Sequence, residues 1–318
     1  MLTEKVEVIP YQEEWPHLFA EESKRIQEAL GENCIIIHHI GSTAVPGLSA
    51  KPIIDMVPVV KNIFIVNDAV PAMEKIGYES RGEFGMLFRH FFVKRTPPQS
   101  FNIHVFEENN PDIDRHIQFR DWMRTHPDDK EAYQKIKINL ALQYPNDILS
   151  YVTGKDAFVA RIDTKIGFDG IRVVHALKDD EWDKVRYFRQ KYIFDRIAID
   201  DPYTSSFTDK NHAHLILYKG VKIAGYANIQ FWPEERAILR ILVIDELYRH
   251  KGLAGQFLKI CERWLKSKKI RTLHIETTPD VYPLYINYGY FEMPLNDPDG
   301  HAADPGTVAI GKILTNEK

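Results

Sequence analysis

The fold of the second half of the chain is decided by one stretch, Arg240-Ile-Leu-Val-Ile-Asp-Glu-Leu-Tyr-Arg-His-Lys-Gly-Leu-Ala-Gly255. It opens on an apolar run typical of a buried β-strand. From Ala254 onward, apolar residues recur every third or fourth position, which predicts an amphipathic helix over about 253–267. The apolar face of this helix consists of Ala254, Phe257, Leu258, Cys261, Trp264 and Leu265. A strand, a short loop and a helix therefore follow one another here.

The loop between this strand and this helix has the composition of a phosphate-binding turn. Cations and small residues alternate there, directly before a helix start. Exposed backbone N–H groups and the positive end of the helix dipole favour a phosphate at such a position, and small residues let the backbone approach the ligand closely. The residues predicted to bind the phosphorylated ligand are Arg249, His250, Lys251, Gly252, Leu253, Ala254 and Gly255.

Two motifs in this half resemble the GNAT acetyltransferase family. The pyrophosphate loop of that family reads Gln/Arg-x-x-Gly-x-Gly/Ala, and Arg249, Gly252 and Ala254 fill its three defined positions. About 30 residues later, Tyr285-Ile-Asn-Tyr-Gly-Tyr-Phe291 looks like the Tyr-x-x-x-Gly-Phe ending of the family, with Tyr290 in place of Phe. The resemblance covers about 145 residues and implies an N-acetyltransferase that uses acetyl-CoA.

The resemblance also implies roles for individual residues. The phenol matching Tyr285 protonates the departing CoA thiolate, a task suited to a group at hydrogen-bond distance. Backbone groups near Leu242 and Val243 pair with the pantetheine arm, where the strand opens. A base is needed to deprotonate the attacking amine, and both Glu276 and Glu235 are candidates. Packing of Tyr285 beside neighbouring tyrosines is the structural alternative, and Thr277-Thr278 stand where the family often carries Asn.

The acetyl acceptor is expected to be a primary amine, on a small molecule or at a protein terminus. Carboxylates near a substrate groove would suit a cationic amine, although surface carboxylates are common. The candidates are Glu234, Glu235, Asp280 and Asp297.

A second distinctive pattern lies near the start of the chain. Ile40-Gly-Ser-Thr-Ala-Val-Pro-Gly-Leu48 is followed by Lys51-Pro-Ile-Ile-Asp55, and together they resemble the GrpB family, a branch of the nucleotidyltransferase superfamily. The resemblance runs from residue 5 to about 165. We therefore predict an α/β protein (α+β mixed sheets) with a nucleotidyltransferase-like domain over residues 1–167 and a GNAT domain over 168–318, with a glycine-containing boundary between Thr164 and Gly170.

The nucleotidyltransferase resemblance implies a nucleotide site at Gly41, Ser42 and Asp55. The Gly-Ser turn holds a triphosphate in that superfamily, and two carboxylates spaced Asp-x-Asp on a strand point to one face and hold magnesium. Here Val57 occupies the second position, and Asn102 and His104 stand on the next strand. We assign no metal ligands. A single magnesium ion, an active nucleotidyl transfer, and a pocket that binds a nucleotide or phosphorylated ligand without chemistry all remain open.

Other charged residues of this half allow two readings each. Five cations could either line a pocket for an anionic ligand or form ordinary ion pairs at the surface: Lys51, Arg89, Arg120, Arg124 and Lys155. Five histidines could either bind a transition metal or make ordinary hydrogen bonds: His38, His39, His104, His116 and His126. Their spacing matches no standard ligand pattern.

The bulk composition agrees with a two-domain protein. With 318 residues, 44% hydrophobic and 27% charged, the chain is that of an ordinary globular protein. A net charge of −4 indicates no general attraction to nucleic acid or an anionic membrane. Two cysteines, no basic-then-apolar leader and no run of about 20 apolar residues predict a cytoplasmic protein without a membrane segment.

Overall fold

The computed structural model describes residues 5–96, 99–195, 198–300 and 304–314. They divide between two compact units, one ending at Gly170 and the other beginning at Ile171. Each unit is built around its own β-sheet with helices, as the predicted two-domain α/β architecture requires. No helix in the described ranges is long and apolar enough to cross a lipid bilayer.

The first unit has a five-stranded mixed sheet and six α-helices in its described part. The strands are β1 (Cys34–Ile40), β2 (Ile53–Val60), β3 (Glu79–Ser80), β4 (Arg89–Thr96) and β5 (Gln99–Glu107), in the order β1-β2-β5-β4-β3. The helices are α1 (Trp15–Leu30), α2 (Val70–Lys75), α3 (Pro111–Thr125), α4 (Pro127–Gln143), α5 (Ile148–Thr153) and α6 (Asp156–Lys165). Only β2 and β5 run parallel, and this pair lies at the centre of the sheet.

The second unit has a seven-stranded mixed sheet and three α-helices in its described part. The strands are β6 (Ile171–His175), β7 (His212–Lys219), β8 (Lys222–Trp232), β9 (Arg236–Ile244), β10 (Thr272–Thr277), β11 (Phe291–Glu292) and β12 (Val308–Ile313). The sheet order is β11-β12-β10-β9-β8-β7-β6, and β9 and β10 are its parallel pair. The helices are α7 (Asp179–Arg189), α8 (Leu253–Ser267) and α9 (Tyr282–Ile286).

Helix α8 begins and ends where its sequence pattern predicts. Phe257, Leu258, Cys261, Trp264 and Leu265 are all buried, whereas Ala254 at the start of the helix is only half-buried. The helix therefore packs the predicted face into the core, except at Ala254.

Strand β4 is an element that the sequence pattern did not predict. Its residues, Arg-His-Phe-Phe-Val-Lys-Arg-Thr, place three apolar side chains in a row instead of alternating them. Phe91, Phe92 and Val93 are nonetheless all buried. A strand covered on both faces has no polar face to alternate with, so the period-two signal is missing.

Candidate functional site

The first candidate site lies where β9 separates from β10. The two strands pair from Arg236 opposite Thr272 as far as Leu239 opposite Ile275. The next residue, Arg240, has no partner on β8, because Leu239 pairs with Ile229 and Ile241 pairs with Asn228. Arg240 therefore forms a β-bulge, which bends the strand that carries it. Beyond it, residues 241–244 stay paired with β8, and no strand of the described chain pairs with their other edge. That edge, which includes Leu242 and Val243, carries backbone groups available to a ligand.

The loop after β9 brings backbone N–H groups to the same end of the sheet. His250 has φ 59° and Gly252 has φ 74°, and the second of these left-handed residues is the N-cap of α8. No side chain caps this helix, so the N–H groups of Leu253, Ala254 and Gly255 have no partner within it. An uncapped helix start with this dipole attracts an anion.

Arg249 holds the loop to the strand before it. Its Nε donates a hydrogen bond of 2.9 Å to the carbonyl oxygen of Ile244, and its guanidinium lies over the Tyr192 ring, 4.7 Å from the centroid. Lys251 Nζ donates to the Leu247 carbonyl at 3.1 Å. Arg249 thus fixes the path of the loop, while the exposed side chain of Lys251 supplies positive charge.

Gly255 is a position where the helix has no room for a side chain. A β-carbon there would lie 1.6 Å from Tyr288 Oη and 2.2 Å from its Cζ. The Tyr288 ring follows α9, so this contact joins the segment after α9 to the first turn of α8. Glycine at 255 is therefore required by a close approach, and its φ is that of an ordinary helix residue.

Tyr285 is a buried phenol without a hydrogen-bond partner among the described residues. It is 6% exposed and packs edge-on against Tyr290, with the ring centroids 5.6 Å apart. Its neighbours are engaged elsewhere, because Tyr290 Oη donates to Glu262 at 2.9 Å and Tyr288 lies on Gly255. Burial raises the pKa of Tyr285 to about 12, so its hydroxyl stays protonated at neutral pH.

Glu276, near the end of β10, fastens the segment before β12. Its Oε1 accepts a hydrogen bond of 2.5 Å from the Asp304 N–H and one of 2.6 Å from the Thr307 hydroxyl. The side chain remains partly exposed. Glu276 therefore has a structural contact on one oxygen and lies at the end of the sheet where β10 leads towards α9.

The other proposed carboxylates lie in different surroundings. Glu235 precedes β9, at the opposite end of the sheet, and pairs with Arg271 at 2.5 Å. Asp297 has a fully buried side chain that pairs with Arg240 at 2.8 Å. Glu234 and Asp280 are exposed. Of the two bases considered, only Glu276 lies towards the uncapped loop.

The second candidate site is a cavity of about 350 Å³ in the first unit. Gly41 has φ 71°, and its α-carbon lies so close to Asp55 that a β-carbon would come within 2.6 Å of Oδ2. Ser42 follows at the start of a short 3-10 turn. The three predicted nucleotide-site residues thus all line this one cavity.

The carboxylate of Asp55 is held by the neighbouring strand. Asn102 Nδ2 donates to Asp55 Oδ1 at 2.8 Å, and His104 Nε2 lies 3.9 Å from the same oxygen. Burial opposes ionisation of Asp55, but His104, Asn102 and Lys51 outweigh it, so the pKa of Asp55 is lowered and the group is charged.

On β2, Asp55 has no second carboxylate two residues later. Val57, in the position of a second carboxylate, is fully buried in a core cluster with Ile40 and Phe106. Among the described residues, no group of three or more histidine, cysteine or carboxylate side chains is arranged to hold a metal ion. Asp55 is the carboxylate that β2 contributes to the cavity, and magnesium is usually bound through one or two carboxylates together with substrate phosphates.

Three lysine side chains line the cavity. Lys137, on α4, is 2% exposed, and its Nζ donates to Ser42 Oγ at 2.9 Å and to the Ser49 carbonyl. Lys51 and Lys155 lie over the same Tyr151 ring, 5.4 and 4.6 Å from its centroid. Lys137 is not among the cations predicted from the sequence. Tyr133 and Lys137 lie four residues apart on the buried face of α4, and this spacing is the signal that could have identified Lys137.

The remaining predicted cations support the fold. Arg89 donates to the carbonyls of Glu83 and Phe84, Arg120 to that of His39, and Arg124 to that of Ala44. Only Lys51 and Lys155 of the five predicted cations line the cavity.

The histidines are also dispersed. His39 bonds to Thr43 at 3.0 Å and His126 stacks on Trp122. His104 and His116 line the cavity. Burial lowers the pKa of both, so both are neutral.

Two family models match the chain, in the order of the two units. The family described as "GrpB protein" matches residues 5–165, about half of the chain, and the family described as "Acetyltransferase (GNAT) family" matches residues 174–289. These matches confirm both predicted resemblances.

Individual proteins are similar to one or the other half of the chain. The UPF0157 protein YqkA of Bacillus subtilis is 41% identical over 155 residues, which are 49% of this chain and 45% of YqkA, so the match spans less than half of that relative. The crystal structure of the conserved protein GrpB from Enterococcus faecalis is 37% identical and covers 50% of this chain and 96% of its own, with a TM-score of 0.47. A GNAT-family acetyltransferase structure from Staphylococcus aureus Mu50 is 16% identical and covers 46% of this chain and 100% of its own, with a TM-score of 0.39.

Proposed function

This chain belongs to the GrpB family and carries a GNAT acetyltransferase domain after its GrpB domain, and on that premise we propose that it transfers acetyl from acetyl-CoA directly to a primary amine. Its N-terminal domain binds a phosphorylated ligand or nucleotide. Acetyl-CoA supplies the activated thioester, and the residues of the second unit bind and orient it.

The observation that carries this proposal is the meeting of an unpaired strand edge with an uncapped helix start. Residues 241–244 offer backbone donors and acceptors to an extended ligand, which suits the two amides of a pantetheine arm. The N–H groups of Leu253, Ala254 and Gly255 offer donors to a pyrophosphate. A ligand with both parts, joined in that order, matches acetyl-CoA.

Tyr285 is the proposed acid. The amine nitrogen forms a bond to the thioester carbonyl carbon, the carbon–sulfur bond breaks, and the sulfur leaves as a thiolate. Tyr285 Oη gives its proton to that sulfur, the nitrogen releases one proton to water as the amide forms, and the Tyr285 phenolate regains a proton from water. Its hydroxyl is protonated because burial raises its pKa to about 12, and no other described residue takes up its hydrogen bond.

Glu276 is the proposed base, acting through water on the ammonium form of the acceptor. One of its oxygens is held by Asp304 and Thr307, so the carboxylate has a fixed position. The second oxygen is available to bind a water molecule. An amine acceptor carries a positive charge before it loses its proton, and a carboxylate at the entrance favours such a substrate. The acceptor is a small molecule or a protein terminus.

An amine panel with release of the CoA thiol as readout tests this proposal. The full-length protein is assayed with polyamines, amino sugars and peptides with free N-termini, together with the Tyr285→Phe variant. Thiol release that depends on the amine, with mass-spectrometric detection of an acetylated product, supports the proposal. Thiol release without acetylated amine would replace it with a thioesterase activity.

The cavity at Gly41, Ser42 and Asp55 favours ligand binding as the function of the N-terminal domain. It is lined by three lysines and a glycine-serine turn, a composition that suits a phosphate. Nucleotidyl transfer is the alternative, and magnesium-dependent release of pyrophosphate from a nucleoside triphosphate would establish it. The buried Val57 argues against that alternative.

A further inference from the structure

We propose that the N-terminal cavity binds the dianionic phosphate of a monoester without a divalent cation, held by Lys51, Lys137 and Lys155 and by the turn at Gly41 and Ser42. The inference rests on the proposed ligand-binding role of this domain and names the ligand class. It differs from nucleotidyl transfer because lysines replace the metal ions.

The cavity carries more cations than carboxylates. Its lining contains the cations Lys51, Arg115, Lys137 and Lys155 and the carboxylates Asp55 and Asp163. With the two histidines neutral and all three lysines protonated, the excess is two positive charges. A phosphate monoester at neutral pH carries close to two negative charges, so the ligand and the cavity neutralise each other.

A second feature of the cavity is the position of Lys137. This ammonium group is 2% exposed and is bound only by neutral oxygens, those of Ser42 and Ser49. No carboxylate of the described residues lies within 4 Å of it. A buried cation without a counter-ion is costly, and an anion beside Ser42 would supply the missing charge.

A third feature is that the two carboxylates of the cavity are already engaged. Asp163 Oδ2 accepts from Arg115 Nε at 2.7 Å, and Asp55 Oδ1 accepts from Asn102. Lys155 makes no ion pair within 4 Å among the described residues, and the charge of Lys51 lowers the pKa of Lys155. Neither carboxylate therefore forms an ion pair with Lys137 or Lys155 in the part of the chain that the structure describes.

A fourth feature is room for the organic part of a monoester. A volume of about 350 Å³ lies in the range of small-molecule pockets. Its walls include Ile53, Phe119, Tyr133, Tyr151 and Val159. Aromatic and aliphatic groups next to a phosphate cradle favour a compact ester such as a nucleoside monophosphate.

Protonation provides a readout that ordinary ion binding lacks. Burial, with a further contribution from Lys155, lowers the pKa of Lys137 to about 7, and burial with Lys51 lowers that of Lys155 to about 8. The titratable groups around Lys137 are Tyr133 on its own helix, Tyr151 and Lys155 from α5 and the turn after it, and Lys51 and Asp55 beside β2. A dianion that enters at pH 8 raises both lysine pKa values, so binding takes up protons.

The test is isothermal titration of the full-length protein with AMP, inorganic phosphate and ATP at pH 8. Each titration is run with EDTA or with magnesium, in two buffers of different ionisation enthalpy. We expect AMP to bind in EDTA, more tightly than inorganic phosphate, with net proton uptake. Lys137→Met should weaken AMP binding at least tenfold, and Lys137→Arg should bind AMP with less proton uptake.

Lys135→Met is the matched control, because Lys135 lies on the same helix with its side chain 71% exposed. It should bind AMP like the unmodified protein. Thermal melting of the Lys137 variants shows whether they fold, and Lys155→Met gives an independent second variant. Binding of ATP only with magnesium would overturn the monoester proposal but keep a ligand role for the domain. No binding of any of the three ligands would overturn both, while acetyl transfer by the second unit is tested separately by thiol release.

Discussion

The hydroxyl group of Tyr288 lies against the α-carbon of Gly255, so that a β-carbon at position 255 would come within 1.6 Å of the phenol oxygen. This contact links the first turn of α8, where the proposed pyrophosphate site begins, to the segment that carries the proposed acid. The position of Tyr285 relative to the helix start is thereby fixed by packing.

Gly255→Ala should destabilise the second unit and weaken acetyl-CoA binding together. Overpacking of this kind costs about 1–3 kcal/mol, and the shift of Tyr288 moves the segment that carries Tyr285. Thermal melting and acetyl-CoA titration measure the two effects. Tyr288→Ala in the same chain removes the ring and should restore much of the lost stability. Unchanged stability in Gly255→Ala would show that the contact is absent in solution.

Tyr285→Phe should lower the rate of acetyl transfer about 100-fold while leaving the affinity for acetyl-CoA nearly unchanged. The reason is that the hydroxyl makes no hydrogen bond to another described residue, so its loss removes a proton donor and little packing. Initial rates and acetyl-CoA titration measure the two quantities. Tyr282→Phe, on the same helix, is the control and should retain its rate. Equal loss of rate in both variants would point to packing.

Glu276→Gln should slow acetyl transfer most at low pH, where the acceptor amine is most fully protonated and most needs a base. The contact of Glu276 with the Thr307 hydroxyl is a competing explanation for any loss. Thr307→Val breaks that contact and leaves the carboxylate in place. Rate–pH profiles of the two variants separate the roles. The same change of the rate–pH profile in Glu276→Gln and in Thr307→Val would mean that Glu276 has only a structural role.

The stability of the first unit should rise with pH between about 7 and 10. Burial, with a further contribution from Lys155, lowers the pKa of Lys137 from 10.5 to about 7, so in this range the unfolded chain binds a proton that the folded protein has released. Stability rises with pH wherever the unfolded state binds more protons.

Urea unfolding at pH 7, 8.5 and 10 measures this dependence. Lys137→Met should flatten the rise, with the remainder due to Lys155, whereas Lys135→Met should keep it. A Lys137→Met curve parallel to that of the unmodified protein would mean that Lys137 titrates normally in the folded state.

The sequence predicted the strand, the loop and the helix over residues 240–267 because their signals are local. The face of α8 repeats within one helix, and the loop before it is contiguous. The bulge at Arg240 was not predictable, since it depends on the register between β8 and β9. It is nevertheless the feature that ends the pairing of β9 with β10 and opens the site.

The cavity of the first unit was predicted only in part. Gly41, Ser42 and Asp55 are close in sequence and belong to one motif. Lys137 reaches Ser42 across 95 positions of the chain, and a lysine between two isoleucines looks like a surface residue of an ordinary helix. Contacts between distant segments decide which cations enter the cavity, and for that reason the sequence could not separate Arg89, Arg120 and Arg124 from Lys51 and Lys155.

The central claim is that acetyl-CoA binds at the start of α8, and a calorimetric titration of acetyl-CoA tests it most directly. Gly252 has φ 74° and open space around its α-carbon, and both Asn and Asp tolerate this backbone conformation. Gly252→Asn and Gly252→Asp therefore differ mainly in charge. We predict binding by the unmodified protein, near-normal binding by Gly252→Asn and a loss of at least tenfold in Gly252→Asp, which places a carboxylate against the pyrophosphate. Equal affinity in the two variants, or no binding by the unmodified protein, would contradict the assignment.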